Sequence, residues 1–173
     1  MALDQAGFVY LCGAFMNGSM TSPQLKHTRG GHAYKDAYVL KLDQQGEVVW
    51  AQNYGGPAGQ AQFNSIAVDR FSQVYLSGIF KLADLARPKL AKIGNQDMFA
   101  LKLDATGAIT WAKNFGGAGA DTTGNSIACD PKGNVHLGGA FRRGDVIAPA
   151  LTRVGIADGF LITAHIADPA ASN

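Results

Sequence analysis

Charge is scarce in this chain. Asp, Glu, Lys and Arg make up 16% of its 173 residues, and 15 basic against 13 acidic side chains leave a net charge of +2. So slight an imbalance lacks the electrostatic footprint of a nucleic-acid or membrane-surface binder. Cysteine is nearly absent as well. Cys12 and Cys129 stand in apolar, strand-like stretches without a CxxC pair or a partnering histidine, which excludes a zinc knuckle and a dithiol centre. They read as buried free thiols acting as small hydrophobes. Apolar runs fall far short of the roughly 18 residues a membrane span needs. The opening MALDQAGFVYLCGAF lacks the basic and long apolar regions of a secretory signal. Low charge does not mean disorder here, because 47% of the residues are hydrophobic, and the 22 glycines follow no collagen period.

What the chain has instead is a repeat. Asp36 to Asp43, Gly46 and Trp50 recur as Asp97 to Asp104, Gly107 and Trp111, a shift of 61 positions. The same shift carries Asn64-Ser-Ile-Ala67 onto Asn125-Ser-Ile-Ala128, and Val74, Leu76, Gly78 and Phe80 onto Val135, Leu137, Gly139 and Phe141. In all, 24 of 61 positions are identical between 36–96 and 97–157, far above chance. A partial copy precedes them at 1–35, and Asp158-Gly-Phe-Leu-Ile opens another at 158–173. The whole of 1–173 is therefore expected to be a single repeat domain, with partial unit 1–35, full units 36–96 and 97–157, and a terminal strand from 158.

Within a unit the apolar period is two. Tyr38, Leu40 and Leu42 share one face, as do Phe99, Leu101 and Leu103, with Lys41 and Lys102 on the other. Further strands are predicted over 47–53, 65–69 and 74–80, separated by turns at Asp43-Gln-Gln-Gly46, the Gly55-Gly56 loop and Phe71-Ser-Gln. Four short antiparallel strands per unit and no helical stripe predict an all-β fold of propeller blades. The connector 81–96, with Leu82, Leu85, Leu90 and Ile93, is too apolar for a disordered linker and is expected to wrap a rim.

The order Asp36, Tyr38, Lys41-Leu-Asp43, Gly46, Trp50, Tyr54-Gly-Gly56, repeated from Asp97 and followed by Ile127-Ala-Cys-Asp-Pro-Lys-Gly-Asn-Val-His-Leu-Gly-Gly-Ala-Phe141, resembles the bacterial beta-propeller repeat named for seven-bladed propellers, SBBP. Departures are Phe71-Ser72-Gln73 in place of a Gly-Asn turn, and Thr163 where Lys41 and Lys102 stand. The resemblance implies a secreted or cell-surface protein and supplies no catalytic residues.

Candidate chemistry is sparse. Asp36, Asp97 and Asp158 read either as a ring of carboxylates around a channel or, preferably, as acids that bond backbone amides where a strand begins. Asp69 and Asp130 fit Asx turns and lack the acidic spacing of a calcium loop. Gly55-Gly56 and Gly116-Gly117 are followed by no Lys-Ser/Thr and open no helix, so they read as hairpin connections, not phosphate loops. Trp50 and Trp111 are expected in the core between blades. No nucleophile with its base, cofactor motif or metal set is found. Binding residues are sought where copies differ, and the candidates are Lys26, His27, Arg29, His32, Arg87, Lys89, Arg142 and Arg143.

Fewer than three blades fall short of the usual four to eight, so the exposed edges call for more blades, from a second copy or a longer chain. The leading reading is a noncatalytic structural or interaction module, homo-oligomeric, binding protein or glycan through variable loops. The alternative is an enzyme, hydrolase or lyase, with a site in the central channel.

Overall fold

The structure, a computed structural model, describes residues 1–16, 20–28, 34–131, 133–147 and 149–165. Its first strands are Ala2–Leu3 (β1) and Val9–Met16 (β2), then a small hairpin of Met20–Thr21 (β3) and Gln24–Leu25 (β4). Lys35–Leu42 (β5) and Val48–Tyr54 (β6) follow. Next come Gln60–Val68 (β7), Val74–Lys81 (β8), Gln96–Leu103 (β9) and Ile109–Phe115 (β10). The last are Asp121–Cys129 (β11), Asn134–Arg142 (β12) and Ala157–His165 (β13). No helix long and apolar enough to cross a membrane occurs among the described residues.

Among the described residues, and beside the two-stranded β3-β4 hairpin, three larger antiparallel sheets result, in the orders β1-β2-β5-β6, β7-β8-β9-β10 and β11-β12-β13. A single parallel bridge, Asp121 to Gln96, links the second and third. The all-β propeller-blade expectation therefore holds, in an open arrangement. The sheets are phased differently from the 61-residue window. Residues 36–96 hold the last two strands of one sheet and the first two of the next, and each chain crossing between sheets lies at 55–59 or 116–120. Gly55-Gly56 and Gly116-Gly117 are thus sheet-to-sheet crossings and not hairpins.

The sheets converge on their first strands. β7 touches β11 and β1, and Ser65 Oγ accepts a bond from Ile127 N at 3.2 Å. Because sheet packs on sheet, strands in the middle are buried on both faces. Asp97 through Leu103 are all buried, so the alternation read from sequence marks which neighbour a residue meets and not which side is wet. Lys41 and Lys102 lie on the face opposite the Leu pairs but are themselves buried, with their ammonium groups 4.1 Å from the Phe8 ring centre and 5.6 Å from that of Tyr75. They stand directly across from Tyr10 and Tyr75 in the strand register, and the third sheet puts Thr163 across from His136.

Two interface cores fill the junctions. In the first, Phe63 lies between Tyr54 and Phe99, at 5.5 and 5.1 Å between ring centres, beside the small Ala37. In the second, the matched pair is reversed in size. Met98 replaces Ala37 and Gly124 replaces Phe63, and a Cβ on Gly124 would meet Met98 Cγ at 2.8 Å. The turns close as the sequence predicts: Gly46 and Gly107 take φ of 84° and 88°. At the irregular turn Ser72 adopts φ 57°, where the matched Gly133 has 83°, and its hydroxyl donates to Asp4 Oδ2.

Candidate functional site

At the end of the sheets that carries the long connectors, each copy builds one clasp. Asp97, fully buried, accepts bonds from Ile93 N at 2.7 Å, Gly94 N at 2.8 Å and Asn114 Nδ2 at 2.9 Å. Asp36, also fully buried, accepts from Thr28 N, Thr28 Oγ1 and Asn53 Nδ2 at 2.7 to 2.8 Å. Asp158 takes Val154 N at 2.6 Å and Gly155 N at 3.2 Å. These acids are committed to backbone amides, as the preferred reading expected. They sit on β5, β9 and β13, the third strand of each sheet, and not on the converging first strands, so they form no carboxylate ring there.

The paired glycines make the clasp possible. A Cβ on Gly55 or Gly116 would stand 2.1 or 2.2 Å from the Oδ1 of Asp36 or Asp97. The adjoining carbonyls tie down the connectors, since Gly55 O accepts Ala86 N at 3.0 Å and Gly116 O accepts Ile147 N at 2.9 Å. Each connector folds on itself through a bridge, Leu85 to Leu90 and Val146 to Leu151, with Leu85 and Val146 buried. Both connectors fold back against the sheet-to-sheet crossings, and among the described residues the regular pairing in each is that isolated bridge.

The basic candidates divide. Arg29 and His32 lie outside the described residues. His27 is no open loop residue: its side chain is 3% exposed, Nε2 lies 3.0 Å from Tyr34 O and 3.8 Å from Asp36, and its ring meets Phe15 edge-on. The neighbouring β4, with buried Leu25, draws this stretch inward. Lys26 is exposed, and its carbonyl accepts from Asn53. Arg87 and Lys89 are exposed on the 82–95 connector. Arg142 and Arg143 come together on Asp121, at 3.2 and 3.4 Å. Asp121 was missed in the sequence, although it is an acid replacing the matched Gln60 opposite two arginines.

The other end of the sheets gathers the Asx turns. Asp69 Oδ1 accepts from Phe71 N and Gln73 N, and Asp130 Oδ1 from Asn134 N, as expected. Asp4 belongs to the same set. Its burial alone would raise the carboxyl, but bonds from Phe8 N, Ser72, Tyr10 and Ala6 N outweigh that and hold it below the ordinary value. An open cavity of about 290 Å³ lies among these turns, lined in part by Asp69, Arg70, Phe71, Cys129 and Asp130. Cys12 and Cys129 are half-buried rather than fully buried. Burial pushes both thiols up, and at Cys129 the Asp69 charge adds to it. Among the described residues no three His, Cys, Asp or Glu side chains form a metal cluster.

Along the converging strands the repeat presents Asn64, Asn125 and Ser126 to solvent, with Asn64 Nδ2 donating to Gly124 O at 2.7 Å. Trp50 is half-buried in the first core, as expected for an aromatic between blades, and its Nε1 donates across the junction to Ala105 O at 3.2 Å. Trp111 packs in the same way against the second core.

A family model described as the beta-propeller repeat SBBP matches residues 110–139. The match runs from the second residue of β10 through β11 and into β12 as far as Gly139, so this segment is similar to that repeat. No curated protein matches the chain.

Proposed function

We propose that the chain is a noncatalytic interaction module that docks further blades and binds protein or glycan through its variable loops. One observation supports the docking most directly. Val39, Ala100 and Leu161 occupy the same repeat position. The first two are 0% exposed because the next sheet covers them, whereas Leu161 is 74% exposed. Val154 and Ile156, in the loop that leads into β13, are exposed at 92% each. A face built to be covered, next to a β13 edge that pairs with no strand among the described residues, is an interaction surface. The occupant in this reading is a second copy of the chain. Its first sheet carries exposed Met1, Leu3 and Met16, and in the internal junctions the corresponding sheets do the covering. The contact is heterologous, head to tail. Binding of protein or glycan rests on the exposed Lys26, Arg87, Lys89, Arg142 and Arg143, which differ between copies. A secreted or surface location belongs to the same reading, through the family resemblance.

The test is solution mass by light scattering across a concentration series, for the wild type and Leu161→Asp. The expected result is a discrete mass of two or three protomers that the substitution lowers. A wild-type mass of 18.1 kDa at every concentration refutes self-docking.

A further inference from the structure

The groove between the first and second sheets, at the connector end, holds a cavity of about 50 Å³. Lys35, Gln60, Gln62 and Lys81 line it, with Ala61 and Ile79. The 61-residue shift carries those four polar residues onto Gln96, Asp121, Thr123 and Arg142 in the next groove. That second groove contains its own anion. Asp121 is 9% exposed and receives Arg142 Nε at 3.2 Å, with Arg143 at 3.4 Å. Gln96 meanwhile donates to Thr122 O and Thr123 Oγ1.

In the first groove the carboxylate is replaced by neutral Gln60, and neutral Gln96 is replaced by a second cation, Lys35. The formal charge of the four matched positions goes from zero (Asp121, Arg142) to +2 (Lys35, Lys81). Among the described residues neither lysine forms an ion pair. The adjacent acid, Asp36, is already held by Thr28 and Asn53. Two half-buried lysines around one cavity repel each other unless an anion sits between them. The cavity suits a group of a few heavy atoms, given that a water occupies about 30 Å³ of liquid.

We propose that this groove binds a small carboxylate, which takes the place that Asp121 fills in the neighbouring copy. Each carboxylate oxygen accepts from one ammonium group, a charge-assisted arrangement. The proposal is independent of the docking reading.

The test is titration of the ¹⁵N-labelled full chain with sodium acetate against sodium chloride at equal ionic strength, following backbone amides by NMR. The expected result is a saturable, acetate-specific shift at residues 60–62 and 79–81 that is absent at 121–123 and 140–142. Lys35→Gln and Lys81→Gln should each weaken it about tenfold, the loss of one charged hydrogen bond. Gln60→Asp should abolish it by supplying the carboxylate internally, and should raise the melting temperature. Equal shifts with chloride, shifts indifferent to both lysines, or acetate binding that survives Gln60→Asp in a folded chain would each overturn the proposal. Inorganic phosphate at the same ionic strength is the second arm, and a phosphate response stronger than that of acetate overturns the carboxylate assignment.

Discussion

Replacing Asp97 with Ala should be among the costliest single changes in the chain, while the same replacement at Asp158 should be nearly silent. Each acid holds the equivalent loop of its own copy, 93–94 at Asp97 and 154–155 at Asp158. At Asp97 truncation strands Ile93 N, Gly94 N and Asn114 Nδ2 around a site with no solvent exposure of the acid itself. A hydrogen bond to a charged group contributes about 1.5 to 3 kcal/mol. Ile93 is 44% exposed, so water reaches part of the clasp. That brings the expected loss to roughly 3 to 5 kcal/mol, or about 10 °C in Tm for a domain of this size. At Asp158 the neighbouring Val154 is 92% exposed and water replaces the carboxylate at once, so the loss should stay below about 1 kcal/mol. Thermal unfolding followed by circular dichroism checks both variants in one buffer. If Asp158→Ala falls as far as Asp97→Ala, or Asp97→Ala moves Tm by less than about 3 °C, burial does not set the cost of the clasp.

Gly116→Ala should destabilise strongly, because its Cβ would lie 2.2 Å from Asp97 Oδ1, whereas Gly119→Ala, facing open space at φ 73°, should cost about 1 kcal/mol in denaturant melts. Gly124→Phe alone should overpack the second core, and Met98→Ala in the same chain should recover part of the loss, a coupling that a double-mutant cycle measures. The raised Cys129 thiol keeps its proton in the folded state above the ordinary value of 9.0. Its stability contribution is therefore complete below about pH 9 and is lost as pH rises through the folded value. Cys129→Ala should flatten that alkaline slope of Tm. The lowered Asp4 works the other way: its contribution is present above its ordinary value of 3.8 and is lost as pH falls through the folded one. Asp4→Asn should reduce the acid-side slope, read as Tm between pH 2 and 6.

Strands, turns and clasps were legible because they depend on local pattern. Period-two stretches gave β5 and β9 at nearly their observed bounds, and Gly46 and Gly107 announced their positive φ. β7 begins at Gln60, five residues before its predicted start, because Gln60-Ala-Gln-Phe63 reads as loop until the neighbouring sheet buries Ala61 and Phe63. His27 was misjudged for the same reason. Its setting of Lys and Gly looked like a solvated loop, and only the contact with Phe15 and Asp36 takes it inside. The grooves at Lys35 and Asp121 join residues far apart in sequence, so composition alone did not bring them together.

The cross-strand partners Tyr10–Lys41, Tyr75–Lys102 and His136–Thr163 change together from sheet to sheet. Where the aromatic ring is present it faces an ammonium group, and where histidine replaces it the partner becomes a hydroxyl at 3.0 Å. An averaged blade designed column by column would therefore mix incompatible halves, such as histidine opposite lysine. The unit of inheritance in such a design is the rung, two residues on adjacent strands, and libraries for artificial blades should be diversified rung by rung.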